Sequence, residues 1–93
     1  MKLMISSDQI RAARALLNMD RKTLAELSGL SLPTIQRMES AGGVVGGNVE
    51  SLVKVIEALK QAGIELIGET DTSRGQGRGV RLIEPARKLE ERA

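Results

Sequence analysis

The residue types that most often perform catalysis or bind metals are missing from this sequence of 93 residues. It contains no Cys and no His, which excludes disulfides, thiolate nucleophiles, imidazole bases and the metal sites built from these side chains. Phe, Trp and Tyr are also absent, so no aromatic side chain can stack on the bases of a single-stranded nucleic acid. Asp and Glu are present, but no pair of carboxylates marks a catalytic site. We therefore expect no enzyme activity, no metal and no cofactor.

The composition is that of one small globular domain. Hydrophobic residues make up 41% and charged residues 28% of the chain, and the net charge is +2. Lys and Arg exceed Asp and Glu in residues 1–40 and 70–93, and the reverse holds for residues 41–69. This distribution permits a polyanionic partner. No apolar run has the length of a membrane span or of a signal-peptide core, so we expect a cytoplasmic protein with no membrane partner.

Three helix starts share one design, in which a capping side chain is flanked by two apolar residues. Ser6 and Gln9 have the spacing of a capping box, and Asp20 and Ser31 can cap a second and a third helix. Between the second and third helices, Gly29 lies where the chain must turn sharply, so we expect a positive φ there. The apolar pairs that flank the three caps are Ile5/Ile10, Met19/Leu24 and Leu30/Ile35.

A fourth helix and a hairpin follow a glycine-rich stretch at residues 41–47. Asn48 can cap the fourth helix, and Gly63 ends it. The segments 64–67 and 80–83 are short and rich in β-branched residues, which predicts two strands of a β-hairpin. The polar, glycine-rich residues 69–78 between them should form a mobile loop.

These elements predict a mainly α fold: a bundle of four to five helices with a C-terminal β-hairpin. We expect three parts in the chain. Residues 1–63 form a helix-turn-helix domain, residues 64–83 form the hairpin, and residues 84–93 form a polar tail with at most one or two helical turns.

The helix-turn-helix lies at residues 21–40. Ala25 must be small because two helices cross closely there, and the apolar residues Leu24, Ile35 and Met38 pack inward. The string at residues 24–31 (LAELSGLS), followed by Ile35, Met38 and Glu39, resembles the phage-repressor/Cro-like helix-turn-helix family, of the xenobiotic-response-element type. The resemblance covers residues 6–62 and implies a lambda-repressor-like domain whose third helix enters the major groove of double-stranded DNA.

The resemblance also implies which side chains contact DNA. Arg37 is suited to bidentate donation to a guanine, and Gln36 is suited to pairing with an adenine. Arg11 and Arg14 are interpreted as solvent-facing charges. Carried over by position, the candidate base-reading residues are Leu32, Pro33, Thr34, Gln36 and Arg37. The candidate phosphate contacts are Arg21, Lys22, Ser40 and Asn48, with the backbone amides of residues 41–47.

The hairpin offers a surface for a second copy of the chain. Ile64, Leu66, Val80 and Leu82 should cover one hairpin face against the helices, and Ile67 and Ile83 should lie on the opposite face. These six residues are the candidate dimerisation residues. A lone two-stranded hairpin leaves its edges unpaired, and pairing with another hairpin would satisfy one of them.

The resulting hypothesis is a sequence-specific transcriptional regulator, most simply a repressor, that binds a palindrome-like operator as a homodimer and is nucleoid-associated when bound. One alternative is an antitoxin-type interaction module whose C-terminal segment, residues 74–93, folds on a toxin partner. A structural adaptor without DNA binding is the third alternative.

Overall fold

The computed structural model describes residues 5–43, 45, 48–68 and 77–83. In these residues, four helices are followed by a two-stranded antiparallel sheet, which confirms the predicted mainly α fold with a C-terminal hairpin. Among the described residues, no helix is both long and apolar enough to cross a bilayer. In chain order, the elements are α1 (Ser7–Leu17), α2 (Arg21–Ser28), α3 (Leu32–Ser40), α4 (Val49–Gln61), β1 (Ile64–Ile67) and β2 (Gly79–Leu82).

The four predicted caps are confirmed at the helix N-termini. The Ser6 hydroxyl accepts from the backbone N–H of Gln9, and the Gln9 side chain accepts from the backbone N–H of Ser6 at 2.9 Å, which completes the capping box. Asp20 and Ser31 each accept from the N–H three residues further on, and Asn48 accepts from two N–H groups of α4. Each helix therefore begins where a local side-chain oxygen satisfies its first free amides.

The four helices and strand β1 contribute side chains to one apolar core. Leu24, Ile35 and Met38 are buried where α2 packs on α3, and Ala25 is buried beside them, as the sequence predicts. Gly29 has φ +74°, which allows the tight turn between the two helices. The remaining buried apolar residues are Ile5, Ile10, Ala13, Val45, Leu52, Val55, Ile56, Ala58, Leu59 and Ile64.

The hairpin packs one face on the helices, and its register pairs Ile64 with Leu82 and Leu66 with Val80. Ile64 is buried, and Leu66 and Val80 pack against the core. The prediction that Leu82 is covered is wrong, because this side chain is 38% exposed. Strand β2 packs mainly on α1, and Gln9 of that helix meets the hairpin at the opposite end of the ladder from Leu82.

The predicted bounds of the second strand need correction. Strand β2 begins at Gly79, one residue earlier than predicted, and Ile83 follows the strand. The register puts Ile67 and Ile83 on the face opposite the core, where Ile83 is exposed but Ile67 is half-buried. Most of the predicted loop 69–78, the whole tail 84–93 and most of the antitoxin segment 74–93 lie outside the described residues.

The left-handed turn at Gly29 gives a direct test of the fold. A Cβ added to Gly29 meets no atom within 4 Å, so a substitution there is opposed by backbone strain alone. We expect Gly29→Ala to lower the free energy of unfolding by about 1–2 kcal/mol. Gly29→Asn should lower it by less, because Asn tolerates this conformation. Urea unfolding with an unchanged m-value measures the stability of both variants. Equal stability of the wild type and the two variants would contradict the left-handed conformation at Gly29.

Candidate nucleic-acid interface

Helix α3 separates an inner apolar stripe from an outer exposed face. Ile35 and Met38 are buried against α1 and α2, which fixes the rotation of the helix about its axis. Pro33 lies in the first turn, where its missing N–H leaves no helical hydrogen bond unmade. Of the candidate base-reading residues, Thr34 is half-buried, and four are exposed: Leu32, Pro33, Gln36 and Arg37. The structure therefore brings the candidates together on one helix and leaves most of them accessible.

The Arg37 side chain is directed along α3 toward its N-terminus. Its Nη2 donates to the Thr34 Oγ1 at 3.3 Å, and that hydroxyl is 2.9 Å from the Ser31 hydroxyl at the cap. Thr34 is thus engaged in local hydrogen bonds, whereas the guanidinium of Arg37 remains exposed. A planar, exposed guanidinium is suited to bidentate hydrogen bonding with a base edge.

A buried carboxylate ties the end of α3 to the two preceding helices. The Glu39 side chain is 1% exposed and accepts from Arg14 at both oxygens, at 2.6 Å and 2.8 Å. One of these oxygens also accepts from the Arg21 Nε at 2.9 Å. Burial acts to raise the pKa of Glu39, but the hydrogen bonds and charges of the two arginines outweigh it, so the pKa is lowered. The pKa of Arg14 is raised, chiefly by its hydrogen bond to Glu39.

This cluster corrects the interpretation of Arg14 as a solvent-facing charge. Arg14 is only 17% exposed and also donates to the Met19 carbonyl at 3.1 Å. Arg11 also donates to the Asp8 carboxylate and to the Glu39 carbonyl, but its side chain is 44% exposed, as the sequence predicts. The role of Glu39 was missed, although the sequence holds a signal for it. Glu39 follows Ile35 by four residues and therefore lies on the inward stripe, where a charge needs a partner.

The candidate phosphate contacts lie on different parts of the surface. Arg21 begins α2 and is 47% exposed, although its Nε is bonded to Glu39. Lys22 and Ser40 are exposed. Asn48 is exposed, but its Oδ1 accepts from the first amides of α4. Thr34, Arg37 and Asn48 meet around one shallow groove between α3 and α4, which Lys22 does not line.

Two amides of the glycine-rich segment donate inward. The Gly42 N–H donates to the Ser7 hydroxyl at 3.1 Å, and the Val45 N–H donates to the Ile5 carbonyl at 2.8 Å. These two amides are therefore unavailable to phosphate, which corrects that part of the prediction. Val45 is buried, in agreement with its interpretation as a packing point, and residues 44, 46 and 47 lie outside the described residues.

Comparison with known families agrees with this geometry. A family model described as helix-turn-helix matches residues 10–60, which is more than half of the chain. No significant match was found among curated protein sequences. The chain belongs to the Cro-like helix-turn-helix family, as its resemblance predicts, and is a DNA-binding helix-turn-helix regulator.

Acid titration should reveal the contribution of the Glu39 carboxylate to stability. Because its pKa is lowered on folding, the charged form adds stability above the unfolded pKa, about 4.3. That stability is lost as the pH falls through the lower folded pKa. At neutral pH we expect Glu39→Gln to lower the free energy of unfolding by roughly 1–3 kcal/mol. This is less than for a fully buried pair, because water reaches Arg21.

The difference between wild type and Glu39→Gln is the quantity to measure, since it isolates this carboxylate from the others. Urea unfolding at a series of pH values should show the difference constant near neutrality and shrinking below about pH 4. A difference that does not change with pH would show that the charge on Glu39 contributes no stability.

Proposed function

We propose that the protein is a transcriptional repressor that reads a palindrome-like operator as a homodimer, with one α3 in the major groove of each half-site. The observation that carries this proposal is the division of α3 into a buried stripe and an exposed face. The stripe holds the helix, and the face presents Gln36 and Arg37 with two apolar neighbours. A helix held in this way can insert its outer face into the major groove without rearrangement.

Base reading in this proposal combines two hydrogen-bonding and two apolar side chains. Arg37 donates to a guanine and Gln36 pairs with an adenine. Leu32 and Pro33, exposed in the first turn, have no donors and press on thymine methyl groups. Thr34 acts from the edge of the face, since its hydroxyl is engaged with Ser31 and Arg37.

Phosphate contacts would surround this face. Lys22 is exposed in the first turn of α2, and Arg21 beside it retains an exposed portion while bonded to Glu39. Ser40 at the end of α3 and Asn48 before α4 add polar groups. The side-chain oxygen of Asn48 already accepts from the first amides of α4. Such contacts orient the helix on the duplex and carry no sequence information of their own.

Within the part of the chain that the structure describes, β2 has β1 as its one strand neighbour, and its other edge supports the homodimer. The Ile83 N–H donates to the Gly63 carbonyl at 2.6 Å, which makes this a hydrogen-bonded pair. Because such pairs alternate along an antiparallel ladder, the backbone groups of Val80 and Leu82 point away from β1. The corresponding edge of β1 is less accessible, since Ile64 is buried.

A second copy would pair its own β2 with this edge and form a four-stranded sheet. The pairing would cover the exposed Leu82 and join the outer-face residues Ile67 and Ile83 of two copies. A two-fold dimer presents two recognition helices to half-sites about one helical turn apart, which multiplies the few bases that a single helix reads. A dimer seated on a promoter in this way would repress by occlusion.

Two substitutions separate base reading from phosphate contact. We expect Arg37→Ala to reduce specific affinity by about 1–3 kcal/mol and to relax one base position. Lys22→Ala should weaken binding to all DNA sequences alike. It should also reduce the slope of log affinity against log salt concentration by about 0.9 per protomer. Lys54→Ala, a change on the exposed face of α4, is the control. Selection from random duplex DNA followed by titration at several salt concentrations measures both effects. An unchanged base preference in Arg37→Ala would overturn the assignment of α3.

A proline at the β2 edge tests the dimer. Leu82→Pro keeps the hydrogen bonds of the β1–β2 ladder, because the Leu82 N–H points away from β1, and an edge strand tolerates proline where its N–H faces solvent. We expect sedimentation velocity to show dimerisation weakened by about tenfold or more, because a strand-pairing donor is lost in each copy. Leu82→Val keeps the N–H and should remain dimeric. A dimeric Leu82→Pro protein would place the interface elsewhere.

A further inference from the structure

Gln9 makes hydrogen bonds beyond the one that the capping box of α1 requires. Its side chain is 4% exposed, and its Oε1 completes the capping box with the backbone N–H of Ser6. Its Nε2 donates to the Ile67 carbonyl at 3.0 Å and to the Gly79 carbonyl at 2.9 Å. These two residues are partners in the strand register, so one amide group bridges both strands at the same step of the ladder.

The same helical turn is bonded to the recognition helix on its other side. The Ser7 hydroxyl is buried and donates to the Met38 carbonyl of α3 at 2.7 Å, while it accepts from the Gly42 N–H. The first turn of α1 therefore lies between the hairpin and the C-terminal end of α3, with directional hydrogen bonds to both.

We propose that Gln9 is a positioning residue that holds the hairpin at one orientation to α3, and that it thereby sets the half-site spacing the dimer accepts. This inference rests on the proposed homodimer. Apolar packing of Leu66 and Val80 is not directional and permits small rotations of the hairpin. Two hydrogen bonds from one amide to both strands oppose such rotations. Because the copies would join through their hairpins, a rotation in each copy would change the separation of the two α3 helices.

Gln9→Glu removes this contact while keeping the cap. Glu serves in capping boxes as well as Gln does, so the bond from the Ser6 N–H is retained. The donor that faced the Ile67 and Gly79 carbonyls is replaced by an oxygen that repels them. Gln61→Glu makes the same chemical change on an exposed position of α4 and is the matched control. Gln9→Met is a second variant, which removes the hydrogen bonds without adding charge.

The experiment uses palindromic duplexes built from the half-site that the wild type selects from random DNA, with the half-sites moved apart in single base-pair steps. Wild type and Gln61→Glu should prefer one spacing. In both Gln9 variants we expect the preference for that spacing over its neighbours to fall by about tenfold, the effect of one or two hydrogen bonds. Affinity for an isolated half-site should stay within about twofold, because α3 itself is unchanged.

The possible results separate the two proposals. A wild type that shows a spacing preference, together with Gln9 variants that keep it, would overturn the role of Gln9 and leave the dimer standing. Variants that only melt at lower temperature, with the same preferred spacing, would show that Gln9 is merely structural and would also overturn the inference. A wild type that binds paired half-sites no more tightly than an isolated one would overturn the dimer, and the role of Gln9 in spacing with it. A wild type that gains from paired half-sites at every spacing alike would overturn the role of Gln9 alone.

Discussion

The structure depends on a carboxylate that is removed from water. Glu39 is almost completely buried, and a buried charge is tolerated only when partners of opposite charge surround it. Arg14 comes from α1 and Arg21 from the start of α2, so three helices must meet at one point for the charge to be satisfied. Apolar packing could be satisfied by several similar arrangements, whereas this hydrogen-bonded geometry selects one. The cluster thus defines how α3 is presented.

The cluster also changes how the basic residues should be counted. Arg14 belongs to the first half of the chain, which the sequence marks as basic, yet it is engaged with a carboxylate and a carbonyl inside the protein. Arg21 is shared between the cluster and the surface. Fewer cations therefore remain for phosphate than the composition suggests. In the proposed complex, apolar contacts with bases and the joining of two copies would have to supply a larger part of the affinity.

Local features of the fold were predictable from the sequence, and long-range ones were not. The caps at Ser6, Asp20 and Asn48 depend on side chains within three residues of the amides they satisfy, so their spacing identifies them. The exposed face of α3 followed from helical periodicity and from the family resemblance. The partners of Glu39 are separated from it by 18 and 25 residues, and the exposure of Leu82 depends on which helix each strand contacts. No local pattern encodes such contacts.

Gln9 shows how a local signal can also hold long-range information. A capping box needs only an acceptor at this position, and Glu or Gln provides one equally well. The amide of Gln adds two donors, and both are used by carbonyls 58 and 70 residues away in sequence. A carboxylate there would cap the helix and yet leave those carbonyls facing a negative charge. The choice of amide over acid is therefore determined by the hairpin and not by the helix. The capping box, a local motif, therefore contains a residue whose type is set by a tertiary contact.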